Sequence, residues 1–375
     1  MGTKDVVSSQ ALFLHFFSTV ILIFKPLQCL SYRDHNGTTR RSPPAMFAIG
    51  GGQTDVGTNK ILNSSSQGNR PFNGIDCDPP LPTGRLSNCL VVADFVAKEL
   101  GFDESPSPFL SVANSPERFD RAITSQGVSF GSASSGIFNS TGQSGEAHVT
   151  FGQQIDQLRE RVRPRLITLL GRPAADNFLA QSFILVAAGG IDIDEQRVNA
   201  PPNSDPSFLR LFTAQFVDYI QTLYALGGRV FGIVAPPPIG CSPFYYNSNS
   251  SECDARANSL SLGVYYRLEA ALRLLRLSYP DFQYSICNSP AFYLDVIANA
   301  SSFTSCGLTE VRAACCGNGR TPCSPTSTLC GNRDEYFFWN QYLLTNEGSR
   351  LHAAACFGRN PRYWTPISFA ALVED

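Results

Sequence analysis

Four hydroxyls lie among glycines in a way that could expose a nucleophile: Thr54 in the loop IGGGQTDVG, Ile49 to Gly57, and Ser132, Ser134 and Ser135 in GVSFGSASSGI, Gly127 to Ile137. A hydroxyl attacks an ester only when a base within about 3 Å takes its proton. Histidine is the usual base, and this chain of 375 residues has four. His15 sits in an apolar N-terminal stretch, which leaves His35, His148 and His352. His352 falls in a helical segment and reads as a surface or partly buried residue without chemistry. Asp55, Asp192 and Asp194 are the carboxylates close to the same glycine-rich segments.

Bare backbone amides in the first glycine-rich loop invite a phosphate. The motifs that use such a loop, GxxxxGK[ST] and GxGxxG, are absent, and Asp76 and Asp78 lie in a Pro-rich loop rather than at a strand end. No nucleotide and no other cofactor is expected. Five cysteines between Cys306 and Cys330 are interspersed with Gly307, Gly317, Gly319, Pro322 and Pro325 and have no histidine near them. That pattern reads as a disulfide-held loop rather than a zinc site, so no metal is expected. Cys241 and Cys253 are close enough in sequence to pair, the other pairings stay open, and eleven cysteines after Cys29 leave one over.

The segments that must position these residues alternate. Met46 to Ile49 is a short apolar strand broken by three glycines, and a loop rich in Asn, Ser, Gly and Pro follows from about Thr58 to Ser87. Helical spacing of Val91, Val92, Phe95, Val96 and Leu100 predicts a helix over Asn88 to Leu100, and Phe151, Ile155, Leu158 and Val162 share one face of another. Strands are expected at Val128 to Phe130, Ser182 to Ala188, Arg229 to Ala235 and Phe282 to Ile286. Helices are expected at Phe208 to Leu226, Asp254 to Leu277 and Asn346 to Cys356. This rhythm predicts an α/β fold with a mostly parallel sheet covered on both faces. A ligand should then sit at the loops after the strands: Gly50 to Thr54, Gly131 to Gly136, Gly189 to Asp192 and Pro236 to Cys241.

With 29 basic and 31 acidic side chains the chain has a net charge of −2, which gives no basic field for a nucleic acid. Residues Ala11 to Phe24 are mostly apolar, follow Lys4 and precede Pro26 and Cys29. Fourteen helical residues rise about 21 Å, short of the ~30 Å hydrocarbon core, so residues 1–29 read as a signal peptide and no integral span is expected afterwards. A polar segment, 30–44, leads to a single domain over 45–375. Five N-x-S/T sequons, at Asn36, Asn63, Asn139, Asn249 and Asn299, are glycosylation candidates that fit a secreted, extracellular protein of the apoplast or cell wall, with the endoplasmic reticulum or vacuole as alternatives.

Five blocks in order resemble the plant secreted GDSL esterase/lipase proteins of the SGNH hydrolase group: Ile49 to Asn59 against FGDSLVDVGNN, then PTGRLSN at Pro82 to Asn88, Gly127 to Ile137, APPPIGC at Ala235 to Cys241 and CCGNG at Cys315 to Gly319. The resemblance spans nearly the whole chain after residue 29. It implies a three-layer α/β/α sandwich with a serine nucleophile in the first block, oxyanion donors in the next two, and Asp and His in a C-terminal DxxH. Carried across, the nucleophile position is Gly52, preceded by Gly51 where the family has Asp; the second-block glycine is Ala133. The amide donor of GxND is Ile191, and DxxH reads Asn340 and Leu343. Asp55 and Asp192 match retained block residues, which implies local hydrogen bonding.

Neither Gly52 nor Leu343 can attack an ester or accept a proton. The backbone N–H groups of Gly52 and Ala133 remain as residual oxyanion donors, and Ile191 offers no side-chain donor, a loss worth about 3 kcal/mol. Asn340 opposite Leu343 avoids a buried carboxylate without its partner, and Leu343, Leu344 and Ile191 are expected to form an apolar floor. The reading is therefore a hydrolase scaffold without ester cleavage, which binds a small apolar or acyl ester ligand or a protein partner. The alternative is an active carboxylic-ester or lipid hydrolase with a rearranged nucleophile, and a structural relic is the third reading.

Overall fold

The computed structural model describes residues 42–143, 147–246 and 251–374. The apolar leader at Ala11 to Phe24 and the sequons at Asn36 and Asn249 lie outside the described residues. Seven strands form one sheet: β1 (Met46–Gly50), β2 (Ser107–Pro108), β3 (Val128–Ser129), β4 (Phe183–Ala187), β5 (Val230–Val234), β6 (Gln283–Cys287) and, at the far edge, Trp364–Thr365. Their order is β2-β3-β1-β4-β5-β6 and then the edge strand, which alone runs antiparallel. A second, two-stranded sheet pairs Glu310–Ala314 (β7) with Tyr336–Phe338 (β8), so the edge strand is β9.

Alternation along the strands explains the layers, because successive side chains point to opposite faces. Phe47, Ile49, Ile184, Val186, Phe231 and Ile233 enter one core cluster, packed with the helices Phe151–Gln157, Asp205–Ala225 and Ala255–Ser278. Met46, Ala48, Phe183, Leu185 and Val234 enter the other, packed with Val92–Glu99, Ser289–Ala298 and Asn346–Phe357. With both faces covered, β1, β4 and β5 carry no polar side. That is why they read as unbroken apolar runs. The result is the expected α/β/α sandwich.

Several helix starts follow from single side chains. Thr150 and Gln153 bond each other's backbone N–H reciprocally, Asp254 accepts the Ala257 N–H at 2.8 Å, and Thr345 accepts the Gly348 N–H at 3.0 Å. The helix expected from Asn88 instead begins at Val92, because Asn88 and Cys89 have other work. Asn88 accepts the Asn346 N–H and donates to Asp76, and Cys89 is bonded to Cys77. The helix at Phe151 passes through a π turn, Leu158–Val162, and continues through Arg163–Leu170, with all four apolar residues of the expected face buried.

The chain leaves β1 for β2 and β3 on one side, then returns past β1 to β4 on the other. The crevice at that reversal, at the carboxyl ends of the strands, is where open α/β sheets take ligands. Its floor is drawn tight by Gly50. At φ 145 a Cβ there would lie 2.0 Å from the Ala187 carbonyl oxygen, so only glycine lets β1 end beside β4.

The disulfides are Cys77–Cys89, Cys241–Cys253, Cys287–Cys356, Cys315–Cys330 and Cys316–Cys323. Cys306 is the buried cysteine outside them. The last two pairs close the Gly/Pro-rich loop on itself, and backbone bonds tie it to the end of β8: Cys315 N–H donates to Phe338 O and Cys316 N–H to Trp339 O. The turn that follows, from Trp339 to Leu343, is thereby fixed over the crevice.

Candidate active-site cavity

A cavity of about 380 Å³ opens at the carboxyl ends of β1, β4 and β5. All four expected loops contribute, through Gly51 to Gln53, Ala133 to Ser135, Gly189 to Ile191 and Pro236 with Ile239, and the turn Asn340–Leu343 closes it. The five positions carried over from the resemblance, Gly52, Ala133, Ile191, Asn340 and Leu343, therefore come together around one space.

Gly52 and Leu343 face each other directly. A Cβ on Gly52 would lie 3.2 Å from Leu343 Cδ1 and 3.4 Å from Cδ2. Gly52 is absent from the glycines held at positive φ, so its backbone does not require glycine. The Leu343 side chain occupies the room a nucleophile's side chain would need. Asn340 does not reach across the cavity: its Oδ1 accepts the Tyr342 N–H at 3.1 Å and the Leu343 N–H at 2.9 Å. The amide closes its own turn, together with the Trp339 N–H to Leu343 O bond of 2.8 Å.

One expectation needs correction. The Ala133 N–H is not a residual oxyanion donor, because it is given to Asp55 Oδ2 at 2.9 Å. The other Asp55 oxygen accepts the Gly57 and Thr58 N–H groups at 2.9 and 2.7 Å. Burial outweighs these bonds and pushes the Asp55 carboxyl up to about 6. The Gly52 N–H meets no acceptor among the described residues. A second correction concerns the floor: Ile191 and Leu343 line it, whereas Leu344 turns away and is buried in the core beside Phe337 and Phe338.

The hydroxyls that might replace the nucleophile have other partners. Thr54 donates to Gly51 O at 2.9 Å, Ser132 to Asn59 Oδ1, and Ser134 to Ser66 Oγ at 3.1 Å. Ser135 accepts from Gln154 Nε2 at 3.1 Å. Among the described residues no histidine lines the cavity. His352 proves to be wholly buried rather than superficial, with Nε2 2.9 Å from Ser289 Oγ and its ring stacked on Phe292; desolvation pushes its pKa down to about 3.

Asp192 matches the structural role expected of it. Its oxygens accept the Ile137 N–H, the Phe138 N–H and the Thr141 hydroxyl at 2.8, 3.1 and 2.6 Å, and burial raises its pKa. It thus holds the Ser132–Ile137 loop to the helix Gly190–Asn199.

Four contributors escaped sequence reasoning. Gln154, fully buried, accepts the Gly50 N–H and donates to Gly50 O, Ser135 Oγ and Val149 O. The sequence signal that could have found it is a Gln beside the apolar helix face of Phe151, Ile155 and Leu158. Asn73 accepts the Trp339 Nε1–H at 2.8 Å, tying the long loop to the closing turn. Tyr342 and Tyr245 both donate to Asp194 Oδ1, at 3.1 and 2.7 Å, on the cavity wall.

Known proteins resemble this chain in sequence. Residues 46–356 match the sequence profile described as GDSL-like Lipase/Acylhydrolase. From Arabidopsis thaliana, GDSL esterase/lipase At5g55050 is 30% identical over 383 residues, covering 96% of this chain and 98% of its own length. GDSL esterase/lipase At2g23540 is 30% identical, with 88% of this chain and 87% of its own covered, and GDSL esterase/lipase 7 is 29% identical, with 91% and 94% covered. A family profile spanning most of the chain, relatives aligned almost end to end, and a cavity at the sheet's reversal point lead to one conclusion: this chain belongs to the GDSL-like lipase/acylhydrolase family.

Proposed function

We propose that the protein is a secreted, glycosylated member of its family that no longer cleaves esters and instead holds a small apolar or acyl molecule in the cavity. The observation that carries this reading is the pair Gly52 and Leu343: a residue without a side chain faces an aliphatic one where attack and proton transfer would occur. Ester cleavage without a nucleophile and a base retains only what binding and one backbone donor supply. The lining supports an apolar guest, with Ile191, Leu343, Val234, Ala235, Pro236 and Ile239 on its walls. A cavity of this volume suits a short acyl or aryl group.

Secretion is supported by the apolar leader and by five disulfides, which persist in oxidising compartments. Asn63, Asn139 and Asn299 are exposed, as glycan acceptors must be. Among the described residues no helix is long and apolar enough to cross a membrane.

The test is saturable binding of p-nitrophenyl hexanoate or a matching ether, followed calorimetrically, with product release monitored in the same samples. Binding without product, weakened by Ile191→Arg, is the expected result. Affinity unaffected by Ile191→Arg would remove the guest from this cavity.

A further inference from the structure

One wall of the cavity is unlike the rest. Asp194, on the helix Gly190–Asn199, lines the cavity as its one carboxylate among the described residues, and both tyrosine hydroxyls that reach it donate to the same oxygen, Oδ1. Its second oxygen takes no hydrogen bond among the described residues. Two O–H donors on one oxygen fix the group as an acceptor and aim it.

Among the described residues no cation pairs with it. Asp194 joins none of the ion pairs among the described residues. Two arginines bonded to the surrounding segments are committed elsewhere: Arg197 forks onto Asp254, and Arg320 donates to the Phe244 and Tyr246 carbonyls. Arg70 lines the cavity from the Ser65–Gln67 side and is not among the groups that influence the Asp194 carboxyl. Burial raises the Asp194 pKa, outweighing the two tyrosine hydrogen bonds that lower it.

The surroundings favour a positive guest in a second way. Tyr342 lines the cavity beside Asp194 and is the aromatic side chain of its wall among the described residues; Phe244 packs on it at 5.1 Å between ring centroids from outside the lining. Aromatic faces attract ammonium groups, most strongly where water is excluded.

We infer that the cavity selects a cationic amphiphile, an alkyl- or arylalkylammonium compound whose charged head meets Asp194 beside Tyr342 while its apolar tail lies over Gly52, Ile191 and Leu343. This rests on the cavity-binding reading above and adds the chemistry of the head group. An alcohol of the same skeleton would fill the same space and leave the carboxylate uncompensated. An anion would be repelled by Asp194 and would have Arg70, on the Ser65–Gln67 side, as its one cationic contact among the described lining residues.

Calorimetric titration of the intact protein with 4-phenylbutylamine, 4-phenylbutan-1-ol and 4-phenylbutyrate separates these cases. The amine is expected to bind roughly tenfold or more tightly than the alcohol, with the carboxylate weakest. Asp194→Asn, which keeps an acceptor for both tyrosines, should bring the amine-to-alcohol ratio to about one. Equal binding of amine and alcohol, tightest binding of the carboxylate, or an amine preference that survives Asp194→Asn would each overturn the head-group assignment while leaving an apolar cavity standing. Failure of all three probes to bind would overturn the cavity reading and this inference with it. The comparison of probes on the unaltered protein decides the matter even where Asp194→Asn does not fold.

Discussion

Leu343 Cδ1 stands 3.2 Å from where a Cβ on Gly52 would be. Two positions that would exchange a proton in a hydrolase are thus in van der Waals opposition, one emptied and the other filled with methyl groups. The substitutions fit each other sterically as well as chemically. Putting back one member should therefore fail. Gly52→Ser should show no cleavage of p-nitrophenyl butyrate, since the new hydroxyl meets Leu343 and no base. Adding Leu343→His and Asn340→Asp supplies a base and its orienting carboxylate, and this triple variant is expected to gain measurable turnover and phosphonate labelling. Turnover by Gly52→Ser alone would show that a base is already within reach.

Neighbouring leucines should behave differently. Leu344 is buried in the core, and Leu344→Ala is expected to cost about 2–5 kcal/mol in denaturant unfolding. Leu343 lines the cavity and is partly exposed, so Leu343→Ala should cost about 1 kcal/mol or less and act mainly on ligand affinity. Equal destabilisation by the two would mean that Leu343 is a core residue rather than part of the cavity floor.

Acid stability should carry the mark of His352. Its folded pKa, about 3, lies below the ordinary value of 6.5, so on acidification the unfolded chain takes the proton first. Its contribution is complete above pH 6.5 and is lost as pH falls toward 3. At pH 5 the loss relative to pH 7 amounts to roughly 2 kcal/mol. Asp55, raised from 3.8 to about 6, works the other way: its contribution is complete below 3.8 and lost as pH rises through 6. Comparing His352→Gln with the parent isolates the histidine. Melts at pH 7 and pH 5 should differ less for the variant, and an unchanged difference would contradict the buried neutral ring.

Asp192→Ala removes the acceptor of two backbone N–H groups and one hydroxyl at 2.6–3.1 Å. Leaving the backbone donors unmet should cost on the order of 1–3 kcal/mol. Hydrogen exchange would show faster labelling at Ile137 and Phe138, whereas exchange as slow as in the parent would deny the carboxylate this role.

Much of the framework was legible because its causes are local. The apolar runs around Phe47, Leu185 and Ile233 identify covered strands, and the loops after them do line the cavity. The short strands Ser107–Pro108 and Trp364–Thr365 were not visible, since two residues carry no periodicity and their pairing is set by the sheet edge. Cys241–Cys253 followed from proximity, but Cys287–Cys356 bridges 69 residues and depends on the packing of the last helix. At the site, the positions of Gly52 and Leu343 could be read from block order. That the Ala133 N–H belongs to Asp55 could not, because block spacing says nothing about where an amide points.

The most direct measurement is ester turnover by homogeneous protein, followed with short- and long-chain p-nitrophenyl esters through the last purification step. The account predicts release no faster than a heat-denatured control across the protein peak. Activity that tracks that peak and disappears on changing one cavity residue would contradict it.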